Sequence, residues 1–290
     1  MELVSRRQDV AFAIEQYQMS ERRACELLGV ERSSYRYRAA KQEDKAMKEQ
    51  LSELARKHPR YGYRRLTALL RRSGQAANPK RVWRLYRELE LGVRRCRRRK
   101  LYRAPSPAPR LTAANQEWAM DFVSDGTASG QRLRALTMVD SYTRECLGIE
   151  TATSLGSARV TRALERVAEA RGLPSTIRVD NGPEFTSRQF RSWCEQKGVA
   201  IVYIQPGKPT QNAIVESFHA RLRDECLNAN WFWNLADARM KITLWREHYN
   251  HSRPHSSLGY LTPSEFRAGH PLPPGRPATI TKHDETSYSR

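Results

Sequence analysis

Residues 117–152 decide the fold, and their sequence is EWAMDFVSDGTASGQRLRALTMVDSYTRECLGIETA. Branched and aromatic residues favour strands over 117–124, 132–141 and 145–152, and turn residues such as glycine separate the first two. Three consecutive strands joined by short connections predict an antiparallel meander.

Helices and strands alternate after the meander. Such α/β units require parallel strand neighbours, so the order βββαβαβα predicts an α/β fold with a mixed sheet. The predicted elements are helices over 158–171, 187–197 and 213–227, strands over 175–180 and 199–205, and a further helix over 235–249.

Basic side chains are concentrated in the first part of the chain. The net charge is +20, of which residues 1–110 carry +17 and residues 111–290 carry +3. This excess predicts a polyanionic partner. Nucleic acid is preferred to a membrane because no apolar run approaches the ~20 residues of a spanning helix. The residues after Met1 lack the apolar core of a secretory signal, so we expect an intracellular protein.

The cysteines are odd in number, far apart and never in a C-x-x-C pair. This pattern indicates neither a disulfide framework nor a zinc site, and it predicts free thiols in a reducing compartment. The five are Cys25, Cys96, Cys146, Cys194 and Cys226.

Residues 20–38 have the pattern of a helix-turn-helix. A serine suited to start a helix precedes an apolar stripe of Ala24, Leu27 and Leu28, and Gly29 breaks the helix. The second helix would present arginines and serines to the major groove of DNA, as a recognition helix does.

A similar helical pair follows over 61–72 and 80–91, with a turn at Gly74. Leucines and a valine line one face of each helix, and arginines and a lysine line the other. Helical spacing places Trp83 and Tyr86 beside the apolar stripe, which predicts core positions for both.

The basic side chains over 94–100 are dense enough to repel one another unless phosphates neutralise them. The proline-rich segment 101–111 predicts an extended linker. Lys208 precedes the helix over 213–227, where its ammonium can reach a phosphate or stay solvated. The predicted DNA contacts are Arg32, Arg36, Arg38, Arg64, Arg65, Lys80, Arg81, Arg97, Arg98, Lys208 and Arg223.

Three carboxylates are the candidate catalytic and metal-binding residues. Asp121 falls in the middle of the first strand and Asp180 ends the fourth, so parallel pairing of these strands would set their carboxylates side by side. Glu216 lies on the helix over 213–227, beside the apolar stripe that begins at Val215, and faces a cleft edge. Each acid alone is more often a solvated surface group or a helix cap.

Together the three acids predict a site for Mg²⁺ or Mn²⁺. Carboxylate oxygens suit these hard cations and do not suit zinc, which favours nitrogen and sulfur ligands. Two ions ~4 Å apart would activate the nucleophile and stabilise the leaving oxygen of a phosphodiester.

Several stretches resemble the DDE, retroviral-integrase-like transposases of insertion sequences, specifically the second-reading-frame proteins of a two-frame family. The resemblance covers roughly residues 20–268, and 35 residues separate Asp180 from Glu216 as in that family. The matching stretches are WAMDFVSD (118–125), VDSYTRE (139–145), VDNGPEF (179–185), PGKPTQNA (206–213), ESF (216–218) and YNHSRPH (249–255).

The resemblance implies a ribonuclease-H-like integrase core, a pair of divalent ions, nicking to a 3′-hydroxyl and attack of that hydroxyl on another phosphodiester. It also implies a homo-oligomer on DNA, a partner or frameshift fusion from an upstream reading frame, and a nucleoid-associated protein of the bacterial cytoplasm. His219 and Ala220 depart from the family pattern, in which Asn-Gly is frequent.

Each region of the chain has its own expected structure. The expected regions are 1–45, helix-turn-helix-like; 46–100, a second such DNA-binding region; 101–111, linker; 112–230, ribonuclease-H-like core; 231–269, helical extension; and 270–290, disordered tail.

Other functions stay open at this point, namely a catalytically inactive relic, a DNA-binding regulator, a nuclease of the same fold and a retroviral-type integrase. The helical pairs count against a simple nuclease, and the absence of histidine before His58 counts against an integrase with a zinc module. The turn residues 181–183 have structural and functional explanations, and so do His251, Arg253 and His255, which could bind DNA or act as capping groups.

Overall fold

A computed structural model of the chain describes residues 3–36, 44–93, 111–205 and 212–270. In these ranges the helices are α1 (Leu3–Tyr17), α2 (Glu21–Leu27), α3 (Arg32–Arg36), α4 (Lys45–Lys57), α5 (Tyr63–Arg72), α6 (Pro79–Glu88), α7 (Ser157–Arg171), α8 (Pro183–Thr186), α9 (Arg188–Gln196), α10 (Ala213–Glu225), α11 (Leu235–His251) and α12 (Pro263–Ala268). The strands are β1 (Glu117–Gly126), β2 (Arg132–Asp140), β3 (Cys146–Ala152), β4 (Thr176–Val179) and β5 (Ala200–Tyr203).

The predicted meander is present, since β1 pairs antiparallel with β2 and β2 pairs antiparallel with β3. Strands β4 and β5 add in parallel on the other side of β1, so the sheet order is β3-β2-β1-β4-β5. The order βββαβαβα and the mixed sheet are confirmed. The short helix α8 between β4 and α9 was not predicted.

Side chains alternate between the two faces of the sheet because a strand has a period of two residues. Trp118 and Met120 of β1 enter one core cluster with α7 and α9, whereas Val123 enters a second cluster with α10 and α11. Asp121 is an odd-numbered residue of the same strand, like Val123. The strand period therefore directs its carboxylate toward the layer that contains α10.

The chain divides into two compact units, residues 1–49 and residues 50–290. In the first unit, α2 and α3 form the predicted helix-turn-helix, and the backbone turns at Gly29 with a φ of 61°. Ser20 caps α2, since its hydroxyl accepts a hydrogen bond from Arg23 N at 3.4 Å. Ala24 is buried as predicted, but Leu27 is 67% exposed, because it ends its short helix.

Helix α1 was not predicted, and it supplies much of the core of the first unit. Val10 and Ala13 from α1 pack with Ala24, Cys25 and Val30, and Arg7 donates a hydrogen bond to Tyr35 O at 3.2 Å. The helix therefore extends the predicted helix-turn-helix to three helices.

The second helical pair is α5 and α6, and both helices bury leucines, as predicted. Asn78 caps α6 by accepting a hydrogen bond from Lys80 N at 2.9 Å. Tyr86 is buried, but the prediction for Trp83 is wrong: its side chain is 46% exposed, and the Arg87 guanidinium lies 5.2 Å from its ring centroid.

No described helix is both long and apolar enough to cross a lipid bilayer. The buried cysteines Cys25, Cys146, Cys194 and Cys226 are free thiols, as predicted. Some predictions concern residues outside the described ranges, namely Cys96, Arg38, Arg97, Arg98, Lys208, the linker residues 101–110 and the tail residues 271–290.

Candidate active site

Asp121 lies in the middle of the central strand β1, with 22% of its side chain exposed. The backbone N–H of Phe122 donates a hydrogen bond to its Oδ1 at 2.7 Å. The strand and this hydrogen bond hold the carboxylate at the edge of the core.

Asp180 follows β4 directly and is exposed. Strand β4 pairs with β1 through Ala119 and Arg178, and continuing this parallel register by two residues sets Asp180 level with Asp121. Gly182 N donates a hydrogen bond to Asp180 Oδ1 at 3.0 Å, and a Cβ atom on Gly182 would lie 2.9 Å from the same oxygen. Glycine at this position therefore permits the turn to close around the carboxylate.

Glu216 lies in the first turn of α10 and is exposed. The predicted apolar stripe of this helix is confirmed, because Val215, Phe218, Leu222 and Cys226 are all buried. Glu216 thus points away from the core while its helix is anchored to the sheet.

The three carboxylates influence one another electrostatically. Burial, together with the negative charges of Asp180 and Glu216 and against the hydrogen bond from Phe122, raises the pKa of Asp121 to about 6. Among the described residues, no three acidic, histidine or cysteine side chains are close enough as placed to chelate a metal ion. The donor chemistry of this acidic cluster nonetheless fits a hard cation, which would relieve the repulsion.

Three polar residues around Asp121 were missed by the sequence reasoning. His219 Nδ1 lies 3.6 Å from Asp121 Oδ2, and its Nε2 lies 2.7 Å from the hydroxyl of Thr137. Thr137 donates a hydrogen bond to Asp121 O at 3.0 Å, and Asn212 Nδ2 donates one to Oδ2 at 3.5 Å. Burial and then Arg223 lower the pKa of His219 to about 4, so this imidazole is neutral near pH 7.

Two sequence signals could have found part of this set. Thr137 is the cross-strand partner of Asp121 in the meander, and His219 is three residues after Glu216, on a neighbouring part of the helix surface. The spacing of Asn212 carries no comparable signal.

The predicted DNA contacts that the structure describes fall in both units. Arg32 and Arg36 pair with Glu21 at 3.4 and 2.8 Å on the first unit. In the second unit Arg65 is half-buried and donates a hydrogen bond to Pro254 O at 3.3 Å. The other described members are exposed or partly exposed: Arg64, Lys80, Arg81 and Arg223.

Three residues of the stretch 249–255 make contacts that stabilise the fold. Asn250 exchanges two 2.9 Å hydrogen bonds with the backbone of Cys146 in β3. Arg253 is 2% exposed and binds Glu225 of α10 at 2.5 and 2.7 Å. His255 is buried with its ring against Tyr249. These contacts tie the C-terminal segment to the helix that bears Glu216.

The second helical pair packs on this C-terminal segment. The ring of His58 lies 5.2 Å from that of His248, and Arg72 of α5 forms an ion pair with Glu265 of α12 at 2.5 Å. Together with the contact of Arg65 to Pro254, these contacts hold α5 against the sheet domain.

Comparisons with protein families match two parts of the chain. Residues 112–209 and 197–263 match families described as integrase core domain, and residues 41–100 match an HTH-like domain. These matches cover the sheet with its three carboxylates and the second helical pair.

Two relatives come from bacterial insertion sequences. The insertion element IS407 uncharacterized 31.7 kDa protein of Burkholderia multivorans is 47% identical over 268 residues, which are 92% of this chain and 97% of that protein. Transposase InsD for insertion element IS2D of Escherichia coli is 30% identical over 229 residues, 72% of this chain and 73% of that protein.

A solved structure shows the same fold. A chain of the simian T-cell lymphotropic virus intasome, in complex with PP2A regulatory subunit B56 gamma, aligns with a TM-score of 0.50 at 16% identity over 80% of each chain. The expected ribonuclease-H-like integrase core, preceded by a helical HTH-like region, is therefore confirmed.

Proposed function

The chain belongs to the insertion-sequence transposases with an integrase core, and from this we propose that it nicks the ends of an insertion sequence and transfers the freed 3′-hydroxyl to another phosphodiester. The observation that carries the proposal is that the parallel register of β1 and β4 sets Asp180 level with Asp121, and that the negative charges of Asp180 and Glu216 both act on Asp121. Both reactions break a P–O bond by in-line attack, so one acidic site can serve both.

The proposed cofactor is a pair of Mg²⁺ ions, or Mn²⁺ in their place, with Asp121, Asp180 and Glu216 as ligands. Such ions, when bound, activate the attacking oxygen and stabilise the leaving oxygen. The protein contributes negative charge and orientation. Asp121 is held by the N–H of Phe122, and Thr137 and His219 form a hydrogen-bonded layer beside it.

Duplex DNA, both element ends and target, is the proposed partner. The basic region over 1–110 and the HTH-like match over 41–100 support this. We also propose a homo-oligomer on DNA, joined to or assembled with the product of an upstream reading frame, because joining two ends requires at least two protomers in register. We further propose a place in the nucleoid of a bacterial cytoplasm, because the relatives are bacterial and the proposed partner is DNA.

The test is a strand-transfer assay with labelled element ends in Mg²⁺, run beside a gel shift. Asp180→Asn and Glu216→Gln each remove one ligand charge, so both should abolish nicking and joining while DNA binding persists. If the unmodified chain does not bind DNA, the transposase proposal as a whole is refuted.

Glu169→Gln is the matched control, because Glu169 is an exposed carboxylate on α7, in the layer across the sheet from α10. It should join DNA at the rate of the unmodified chain. Joining by Asp180→Asn or Glu216→Gln at the rate of this control would refute the catalytic assignment.

A further inference from the structure

A half-buried cleft beside α10 brings together arginines from four parts of the chain. It also contains Ser217, the residue after Glu216, so the cleft adjoins the candidate active site. The arginines are Arg65 of α5, Arg144 of the β2–β3 connection, Arg221 of α10 and Arg253 after α11.

Only one of these arginines is neutralised. Arg253 binds both carboxylate oxygens of Glu225. Within the described ranges, Arg65, Arg144 and Arg221 form no ion pair, and no carboxylate lines the cleft. Three guanidinium groups thus share a partly desolvated space without a direct ion pair, although Glu225 acts on Arg65 and Asp140 and Glu117 act on Arg144 from a distance.

The cations in the cleft disfavour one another. Burial, together with the charges of Arg253 and Arg221 and against that of Glu225, lowers the pKa of Arg65 to about 10. Burial and Arg253 lower the pKa of His255 to about 3, with contributions from Arg65 and Arg144. An anion in the cleft would relieve this repulsion between the cations.

The donors in the cleft suit a phosphate. Guanidinium groups bind phosphate oxygens by paired hydrogen bonds, and serine hydroxyls add further donors. Ser217, Ser256 and Ser257 supply such hydroxyls in the lining. The apolar side chains of Val139 and Phe218 also line the cleft.

We propose that this cleft binds a phosphate of the DNA backbone, with Arg144 and Arg221 as its main ligands and Arg65 as a third. The inference rests on the proposed function for the identity of the phosphate. The phosphate would belong to the DNA strand held at the candidate active site. Helix α10 lines the cleft through Ser217 and bears Glu216 in the same turn. A free phosphate ion has the same chemistry and is the alternative source.

The experiment measures duplex binding by fluorescence anisotropy across a salt series for Arg144→Ala and Arg221→Ala. Each variant should raise the Kd about tenfold at ~0.1 M salt and reduce the log-log salt slope by about 0.9 for the lost contact. Arg221→Lys keeps the charge and should recover most of the binding, which separates loss of a ligand from misfolding.

Arg162→Ala is the matched control, since it removes the same charge from an exposed position on α7. It should change the Kd and the salt slope little. If Arg144→Ala and Arg221→Ala bind DNA as this control does, the cleft proposal is wrong and the proposed function stands. If the unmodified chain binds no DNA, the proposed function itself fails.

Inorganic phosphate distinguishes the two sources. If the cleft serves DNA, millimolar phosphate should leave the thermal unfolding midpoint of the unmodified chain nearly unchanged, because a single ion lacks the neighbouring contacts of a bound strand. The DNA assignment would be overturned by two results together. Phosphate would raise the midpoint of the unmodified chain but not that of the Arg144→Ala and Arg221→Ala variants, and those variants would bind DNA as the unmodified chain does.

Discussion

Replacement of Arg253 by Met should destabilise the sheet domain strongly. Arg253 is 2% exposed, and Glu225, its partner on α10, is 8% exposed. Burial alone would lower the pKa of Arg253, but the hydrogen bonds and charge of Glu225 raise it, so the guanidinium stays charged in the pair. Removing the guanidinium leaves a carboxylate buried without a partner.

The expected loss is about 3–5 kcal/mol of unfolding free energy, the usual effect of breaking one side of a buried ion pair. For a unit of this size that corresponds to a fall of roughly 10 °C in the thermal unfolding midpoint. The double variant Arg253→Met with Glu225→Leu removes both charges and should recover a large part of the loss.

Differential scanning calorimetry at pH 7 measures these midpoints. Arg166→Met is the control, because Arg166 pairs with Glu150 at the surface with 63% of its side chain exposed and should lose less than about 1 kcal/mol. The reasoning is refuted if Arg253→Met is no less stable than this control, or if the double variant is as unstable as Arg253→Met.

Two further predictions concern the active-site turn and the response to acid. Gly182→Ala should lower the rate of strand transfer at least about tenfold and leave DNA binding unchanged, because the added Cβ would displace Asp180 Oδ1. Strand transfer at the rate of the unmodified chain would contradict this prediction. His255 has a pKa of about 3, far below its ordinary value of 6.5, so its contribution to stability is full above pH ~6.5 and is lost as the pH falls toward 3. Between pH 7 and 5 this loss is about 2 kcal/mol, so the unfolding midpoint of His255→Gln should fall less over that interval than that of the unmodified chain.

The elements that the sequence predicted well are those with long, regular patterns. The apolar stripe of α10 recurs at helical spacing, so this pattern alone predicts the face on which Glu216 lies. Trp83 shows the limit of such patterns, because a residue flanking a helical stripe can be buried or exposed according to what packs there.

Contacts between distant parts of the chain escaped the sequence reasoning. Arg253 and Glu225 are 28 residues apart, and Arg65 and Pro254 are 189 apart, so no local spacing relates them. The cleft beside α10 forms only when α5, the β2–β3 connection and the segment after α11 fold together. For this reason the helical pattern around Arg65 did not predict that its side chain is half-buried and contacts Pro254.

The most direct test of the central claim is strand transfer by Asp121→Asn in Mg²⁺, with Asp125→Asn as its control on the same strand. The charges of Asp180 and Glu216 raise the pKa of Asp121, whereas Asp125 lies near the end of β1 and accepts a hydrogen bond from Gly126 N at 2.8 Å. We predict that Asp121→Asn binds DNA and joins none, while Asp125→Asn joins at the rate of the unmodified chain. Joining by Asp121→Asn at that same rate would contradict the assignment of the three carboxylates as the catalytic site.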